Sequence, residues 1–120
     1  MDRHEAPTMN GRASRRKGFN AEREVVKLAQ RHDLTATRAY GSNGASLGQA
    51  ATCDITIQDT PWQVKRRKAI AHYVKPPAGT IGTLIREDHG SWLAVLPAET
   101  LFRLIELTGI ELETVWKEDA

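Results

Sequence analysis

The residue types best suited to chemistry lie on a short predicted β-hairpin, with Asp54 in its first strand and Gln63 and Lys65 in its second. A turn at residues 59 and 60 sets Asp54 opposite Lys65. Opposed and diagonal side chains on one face of an antiparallel pair lie within about 8 Å of each other. We therefore expect the three side chains to converge, although a solvated polar face with a cross-strand salt bridge has the same pattern.

The other face of this hairpin is apolar. Alternation along the two strands places Ile55, Ile57, Trp62 and Val64 together, on the side opposite to Asp54. Such a face is expected in the core of the domain, so the polar residues are the ones left at the surface of the sheet.

A predicted helix from Gly18 to about Asp33 carries a carboxylate, Glu22, in the middle of its apolar face. Four apolar residues lie within about 60° of it on a helical wheel: Phe19, Val25, Val26 and Ala29. Carboxylates are rarely buried without a partner. A divalent cation shared with Asp54 is one such partner; the alternative is a partly exposed acid near a helix boundary.

These residue types are the ones that phosphodiester hydrolysis needs. Carboxylate and amide oxygens hold Mg²⁺ or Mn²⁺, which activates bound water. An ammonium group such as that of Lys65 can orient the water or stabilise the charge that builds up on phosphorus.

The basic residues are clustered, although the net charge is only +2. Residues 12–17 and 65–75 contain several cations and no acid, which suggests a polyanion such as nucleic acid, or two solvated patches. The candidates for phosphate contact are Arg15, Arg16, Lys17, Arg66, Arg67 and Lys68.

Three ordered segments give the chain a resemblance to a known family. Asp54 followed by Gln63-Val64-Lys65 is similar to the D…(E/Q)-x-K signature of PD-(D/E)XK nucleases. Residues 17–24, KGFNAERE, resemble the opening of archaeal-type Holliday junction resolvases, and residues 38–42, RAYGS, resemble the segment before their motif aspartate. Residues 92–97 and the helix after them resemble phage-type members less specifically.

The resemblance implies an α/β (α+β) fold with a restriction-endonuclease-like mixed β-sheet flanked by helices. It implies catalytic roles for Glu22, Asp54, Gln63 and Lys65, with the Val64 carbonyl as a further metal ligand. It also implies contacts to DNA from Arg38 and from Ser42, near the scissile phosphate.

Two positions depart from the family pattern. Cys53 stands where the motif often has Pro, and Gln63 stands where these resolvases usually have Glu. A neutral amide at position 63 should lower the affinity for metal.

The function expected from these features is metal-dependent cleavage of four-way (Holliday) DNA junctions. A junction has two scissile strands related by a two-fold axis, which suits a homodimer. The alternatives are a restriction-like or nicking nuclease of the same superfamily and a catalytically silent DNA-binding module.

Size and composition set the remaining expectations. A chain of 120 residues suits one nuclease domain over 14–120, preceded by a flexible basic arm over residues 1–13. One cysteine, no secretory signal and no long apolar run are typical of a cytoplasmic protein that does not cross a membrane. Residues 83–87 and 92–96 are expected to form a second hairpin, followed by a helix from about Ala98 to Thr108. The acidic final segment is expected as a short strand or as disordered, and residues 41–52 as a long loop with three glycines. Trp92 is expected to fill core.

Overall fold

The computed structural model of the chain describes residues 5–39 and 52–119. Its elements are helices and short strands in the following order: α1 Glu5–Arg31, β1 Ala36–Arg38, β2 Ile55–Ile57, β3 Thr60–Trp62, β4 Thr83–Ile85, β5 Leu93–Val95, α2 Ala98–Thr108 and α3 Leu112–Asp119. A single turn of 3₁₀ helix covers His72–Val74. The expected combination of helices and strands is confirmed. Both sheets described are antiparallel, so the mixed sheet that was expected is not found among these residues.

The chain divides into two compact units. The first joins Met1–Arg66 to Glu111–Ala120, and the second is Arg67–Ile110. One nuclease domain over 14–120 therefore stays a prediction. No helix in the part of the chain described is long and apolar enough to cross a membrane.

Helix α1 begins at Glu5, well before the predicted start at Gly18, so residues 5–13, expected to be a flexible arm, are helical. Its end has the geometry of a Schellman motif. Asp33 adopts a left-handed φ of 60°, Leu34 N–H donates to the Ala29 carbonyl at 3.1 Å, and Asp33 N–H donates to the Gln30 carbonyl at 3.0 Å. Leu34, the residue after Asp33, is buried, and an apolar residue at this position is common in the motif.

Strands β1, β2 and β3 form an antiparallel sheet in which β2 is central. The β2–β3 turn consists of Gln58 and Asp59, with φ of 48° and 64°, and Ile55 pairs with Trp62. Two left-handed residues are the requirement of a type I′ hairpin, whose twist matches that of the strands. The predicted turn at residues 59 and 60 is therefore wrong, and so is the predicted pairing of Asp54 with Lys65.

The register differs from the predicted one by two residues, which keeps the same side chains on each face. Ile55 and Ile57 are buried as predicted, and Trp62 is half-buried. Thr60 is buried beside them; its hydroxyl donates to the Ile57 carbonyl at 2.6 Å and accepts from the Trp62 indole N–H at 2.8 Å. These two bonds satisfy the only polar side chain on this face of the hairpin.

The core of the first unit consists mostly of small and β-branched side chains. It contains Ala21, Ala29, Leu34, Ala39, Cys53, Ile55 and Ile57. Alanines on the inner face of α1 let its backbone approach the sheet. Phe19, expected on that face, is 42% exposed. It lies two residues, or about 200° of helix rotation, from Ala21, so the two cannot face the same way.

In the second unit, the predicted hairpin and the predicted helix at 98–108 are both confirmed. Thr83 pairs with Val95, and α2 ends at Thr108 and is capped by Gly109, whose φ is 66°. Trp92, expected to fill core, is 67% exposed. The acidic final segment, expected as a strand or as disordered, is helix α3 of the first unit. An ion pair between Glu113 and Lys117, one turn apart, stabilises it.

Candidate functional site

Glu22 is the buried acid of the first unit, with 4% of its surface exposed, as the helical pattern predicted. Its Oε1 lies 2.8 Å from the Nε of Arg38 on β1, and the two groups form an ion pair. The side chains are 6% and 23% exposed respectively. Removing a carboxylate from water costs roughly several kcal/mol, and this ion pair offsets part of that cost for Glu22.

Arg38 is held from a second direction by Phe19. The guanidinium carbon lies 3.4 Å from the centre of the phenylalanine ring, which is the spacing of a stacked cation–π pair. Phe19 and Glu22 are neighbours on adjacent turns of α1, three residues apart. One arginine from the sheet thus contacts both a carboxylate and a ring from the helix, and it ties α1 to β1.

Asp54 immediately precedes β2 and is half-buried. Its backbone is fixed on both sides: its carbonyl accepts from Ala39 N–H at 2.9 Å, and its N–H donates to the Trp62 carbonyl at 2.9 Å. In the β2–β3 ladder Trp62 pairs with Ile55, so the bond from Asp54 to Trp62 places two residues of one strand opposite one residue of the other, as at a β-bulge. Its carboxylate Oδ2 accepts from Val64 N–H at 2.7 Å.

The bond from Val64 to Asp54 brings the motif residues together in a way that the sequence did not predict. Gln63, Val64 and Lys65 lie after the end of β3 and outside the ladder. This segment is attached to Asp54 by a single hydrogen bond from the Val64 backbone N–H to the Asp54 carboxylate. The side chains of Gln63 and Lys65 are exposed. This leaves both side chains accessible to a large anionic substrate.

Glu22 and Asp54 come from elements that meet. Helix α1 packs on β1 and β2. Arg38, which binds Glu22, pairs with Ile55, and the N–H of Ala39, the residue directly after β1, donates to the Asp54 carbonyl. The two candidate carboxylates are therefore connected through two successive residues, Arg38 and Ala39.

The donor atoms fit a hard divalent cation in kind, since two carboxylates and an amide are the ligands that Mg²⁺ and Mn²⁺ prefer. Glu22 already has a cationic partner in Arg38, so a metal ion there has to share or displace the guanidinium. Within the residues described, no group of three or more His, Cys, Asp or Glu side chains is placed to hold a metal. The predicted set includes two such side chains, Glu22 and Asp54.

Apart from Arg38, which is paired with Glu22, the predicted DNA-contacting residues that the structure describes fall into three groups. Arg15 and Arg16 are exposed on α1, and Lys17 is half-buried. Arg66 is exposed in the first unit, with a guanidinium nitrogen 4.0 Å from a Glu24 carboxylate oxygen. The exposed Arg67 and Lys68 belong to the second unit. Ser42 lies outside the described residues, as does most of the predicted glycine-rich loop around it.

Sequence reasoning missed Arg23 and Asn20, which line an open hollow on α1 together with Arg15, Arg16 and Phe19. It also missed the pairing of Arg38 with Glu22. The spacing of residues 15, 19 and 23, four apart on a helix, is the signal that could have shown the hollow. Comparison with protein-family models, with curated proteins and with solved structures finds no match for this chain.

Proposed function

We propose that the chain is a metal-dependent endonuclease of the PD-(D/E)XK type that cleaves phosphodiester bonds in four-way DNA junctions. The observation that carries the proposal is the connection of a buried Glu22 on the first helix, through β1, to an Asp54 whose carboxylate holds the Val64 amide. A helix followed by an antiparallel β1–β2–β3 sheet is in keeping with the core of a restriction-endonuclease-like fold.

In this proposal the chain's own residues divide the work. Glu22 and Asp54 would hold the cation, with the Gln63 amide oxygen and the Val64 carbonyl as neutral ligands. When bound, Mg²⁺ or Mn²⁺ supplies an activated water and neutralises charge on the phosphate. The exposed Lys65 ammonium orients that water or stabilises the transition state. Arg15, Arg16 and Arg66 hold neighbouring phosphates.

The proposal includes a symmetric homodimer in the cytoplasm. Two copies related by a two-fold axis offer two sites with matching geometry to the two scissile strands of a junction. Cys53 is a free, buried thiol in the core, which is compatible with a reducing compartment. Sedimentation of the free protein and of its junction complex measures the stoichiometry directly; one protomer per junction contradicts the dimer.

The test compares a four-way junction with its matched linear duplex, both with Mn²⁺. We expect cleavage of the junction alone. Asp54→Asn should lower the rate roughly a hundredfold or more, since even indirect support of a metal ligand is worth ten- to a hundredfold. Because an asparagine oxygen can still accept the Val64 N–H, the fold should persist. Asp59→Asn, in the exposed β2–β3 turn, is the matched control.

One observation favours a second candidate, a DNA-binding module without catalysis. Arg38 already neutralises Glu22, and Gln63 brings no charge, so the metal ligands are weaker than in a site with three acids. The same experiment separates the candidates. Junction binding without cleavage supports the binding module, and cleavage of the linear duplex supports a restriction-like or nicking nuclease. Full activity in Asp54→Asn removes the proposed metal site.

A further inference from the structure

An exposed part of α1 carries a surface that contains none of the proposed metal ligands. Of the residues that the structure describes, five line an open hollow of about 600 Å³: Arg15, Arg16, Phe19, Asn20 and Arg23. Three of these five are arginines and none is an acid. Hollows of about 300–1,000 Å³ are the size that holds small ligands. The surface, named here the arginine–phenylalanine surface, is thus large enough for one nucleotide.

Phe19 has the features of a stacking platform. A phenylalanine that is 42% exposed contributes little to the core, yet its ring is held in place because the Arg38 guanidinium lies 3.4 Å from its centre. The Arg23 guanidinium carbon is farther away, at 5.7 Å. Arg23 is exposed at the surface and its long side chain can move aside for a flat group that stacks on the ring.

We propose that the arginine–phenylalanine surface binds an unpaired nucleotide, with its base on Phe19 and its flanking phosphates on Arg15, Arg16 and Arg23. The inference rests on the proposed action on DNA and names the part of the substrate recognised. Aromatic rings stack on exposed bases of any sequence, and arginine guanidinium groups form bidentate hydrogen bonds with phosphate. A paired base in a duplex presents only its edge, so this surface selects unpaired nucleotides over duplex DNA.

The test measures binding of a single-stranded oligonucleotide containing 2-aminopurine, whose fluorescence falls on stacking, with EDTA present and in the Asp54→Asn background. Phe19→Leu should weaken this binding about tenfold and abolish the quenching. Phe19→Trp should retain both. Trp92→Leu is the matched control: Trp92 is also an exposed aromatic, and its ring centre lies 5.3 Å from an arginine, Arg86, in the second unit. It should change neither readout.

The phosphate part of the proposal has its own readout. For single-stranded DNA, each phosphate contact adds about −0.7 to the slope of log affinity against log salt concentration. The double variant Arg15→Ala with Arg23→Ala should therefore make this slope shallower by about 1.4. The proposal is overturned if Phe19→Leu binds and quenches like the parent. It is also overturned if Trp92→Leu weakens binding as much as Phe19→Leu does. A third contrary result is an acidic peptide that competes with the oligonucleotide equally well and whose binding is unchanged by Phe19→Leu. The last result would indicate a protein partner.

These outcomes are independent of the nuclease proposal. Junction cleavage by the wild-type protein, together with unchanged oligonucleotide binding in Phe19→Leu, rejects the nucleotide site and keeps the nuclease. No cleavage by the wild type, together with weakened binding in Phe19→Leu, rejects the nuclease and keeps the nucleotide site. Thermal melts of each variant identify any loss of folding, and Phe19→Trp keeps the test decisive if Phe19→Leu is unstable.

Discussion

Replacing Arg38 by methionine removes the guanidinium from a carboxylate that stays buried. Glu22 is 6% exposed in its side chain, so water cannot replace the 2.8 Å bond. Removing one partner of a buried ion pair costs about 3–5 kcal/mol. Arg38 is itself 23% exposed, which places this pair at the lower end of that range. Adding about 0.5–1 kcal/mol for the lost stack on Phe19, we expect a total cost of roughly 3.5–4 kcal/mol.

The opposite change, Glu22→Gln, should cost less, about 1–2 kcal/mol, because Arg38 can turn its charge toward water while the neutral amide stays buried. The double variant should therefore be more stable than the sum of the single effects implies, by about 2 kcal/mol. The pair Arg66 and Glu24 is the matched control. Its atoms are 4.0 Å apart and its side chains are 51% and 71% exposed, so its coupling should be about 0–0.5 kcal/mol.

Urea unfolding at neutral pH measures these free energies. EDTA is included because a bound cation would add stability to the folded state. If Arg38→Met is too unstable to fold, Arg38→Lys supplies a smaller step that keeps the charge and loses the planar stack. The reasoning is refuted if Arg38→Met is less destabilising than Glu22→Gln, or if the two residues couple no more strongly than the exposed control pair.

Three further predictions concern charge and backbone strain. Gln63→Glu should tighten Mn²⁺ binding to the free protein by tenfold or more in calorimetry; unchanged affinity means that Gln63 is not at the metal. Replacing Arg66 and Lys68 by alanine should flatten the salt slope of junction binding by about 1.8, and an unchanged slope makes them bystanders. Asp33→Gly, at φ 60°, should stabilise the protein by about 0.5 kcal/mol in urea unfolding; a loss of stability contradicts the strain assigned to Asp33.

The sequence was most informative where several local signals agreed. Helix α2 follows Pro97 and ends just before Gly109, and a proline before and a glycine after a helix are strong boundary signals. Both predicted bounds are confirmed. The burial of Glu22 was also predictable, because its position on the wheel depends only on the helical period.

The β2–β3 register was not predictable, because its turn places Gln58 in left-handed geometry, where non-glycine residues are uncommon. Nothing in the sequence marks Gln58 as a turn residue, whereas Asp59-Thr60-Pro61 resembles a turn. In the structure, Ile57 and Thr60 are the residue pair on either side of the turn, and the Thr60 hydroxyl stabilises it by donating to the Ile57 carbonyl. Pro61 lies on a strand at the edge of the sheet, where a missing N–H is tolerated.

The partner of Glu22 was hidden for a different reason. Arg38 is 16 residues away, and their contact exists only because α1 packs on β1. That contact changes how the charge of the candidate site is understood. Arg38 balances the formal charge of Glu22, so the two candidate carboxylates together bring a divalent cation one net negative charge rather than two. In the proposed function, a phosphate of the bound DNA would supply the missing charge, both as an anion beside the metal and as an alternative partner for Arg38. Metal and DNA are then expected to bind with mutual assistance, and Arg38 would keep the buried carboxylate neutralised until both are present.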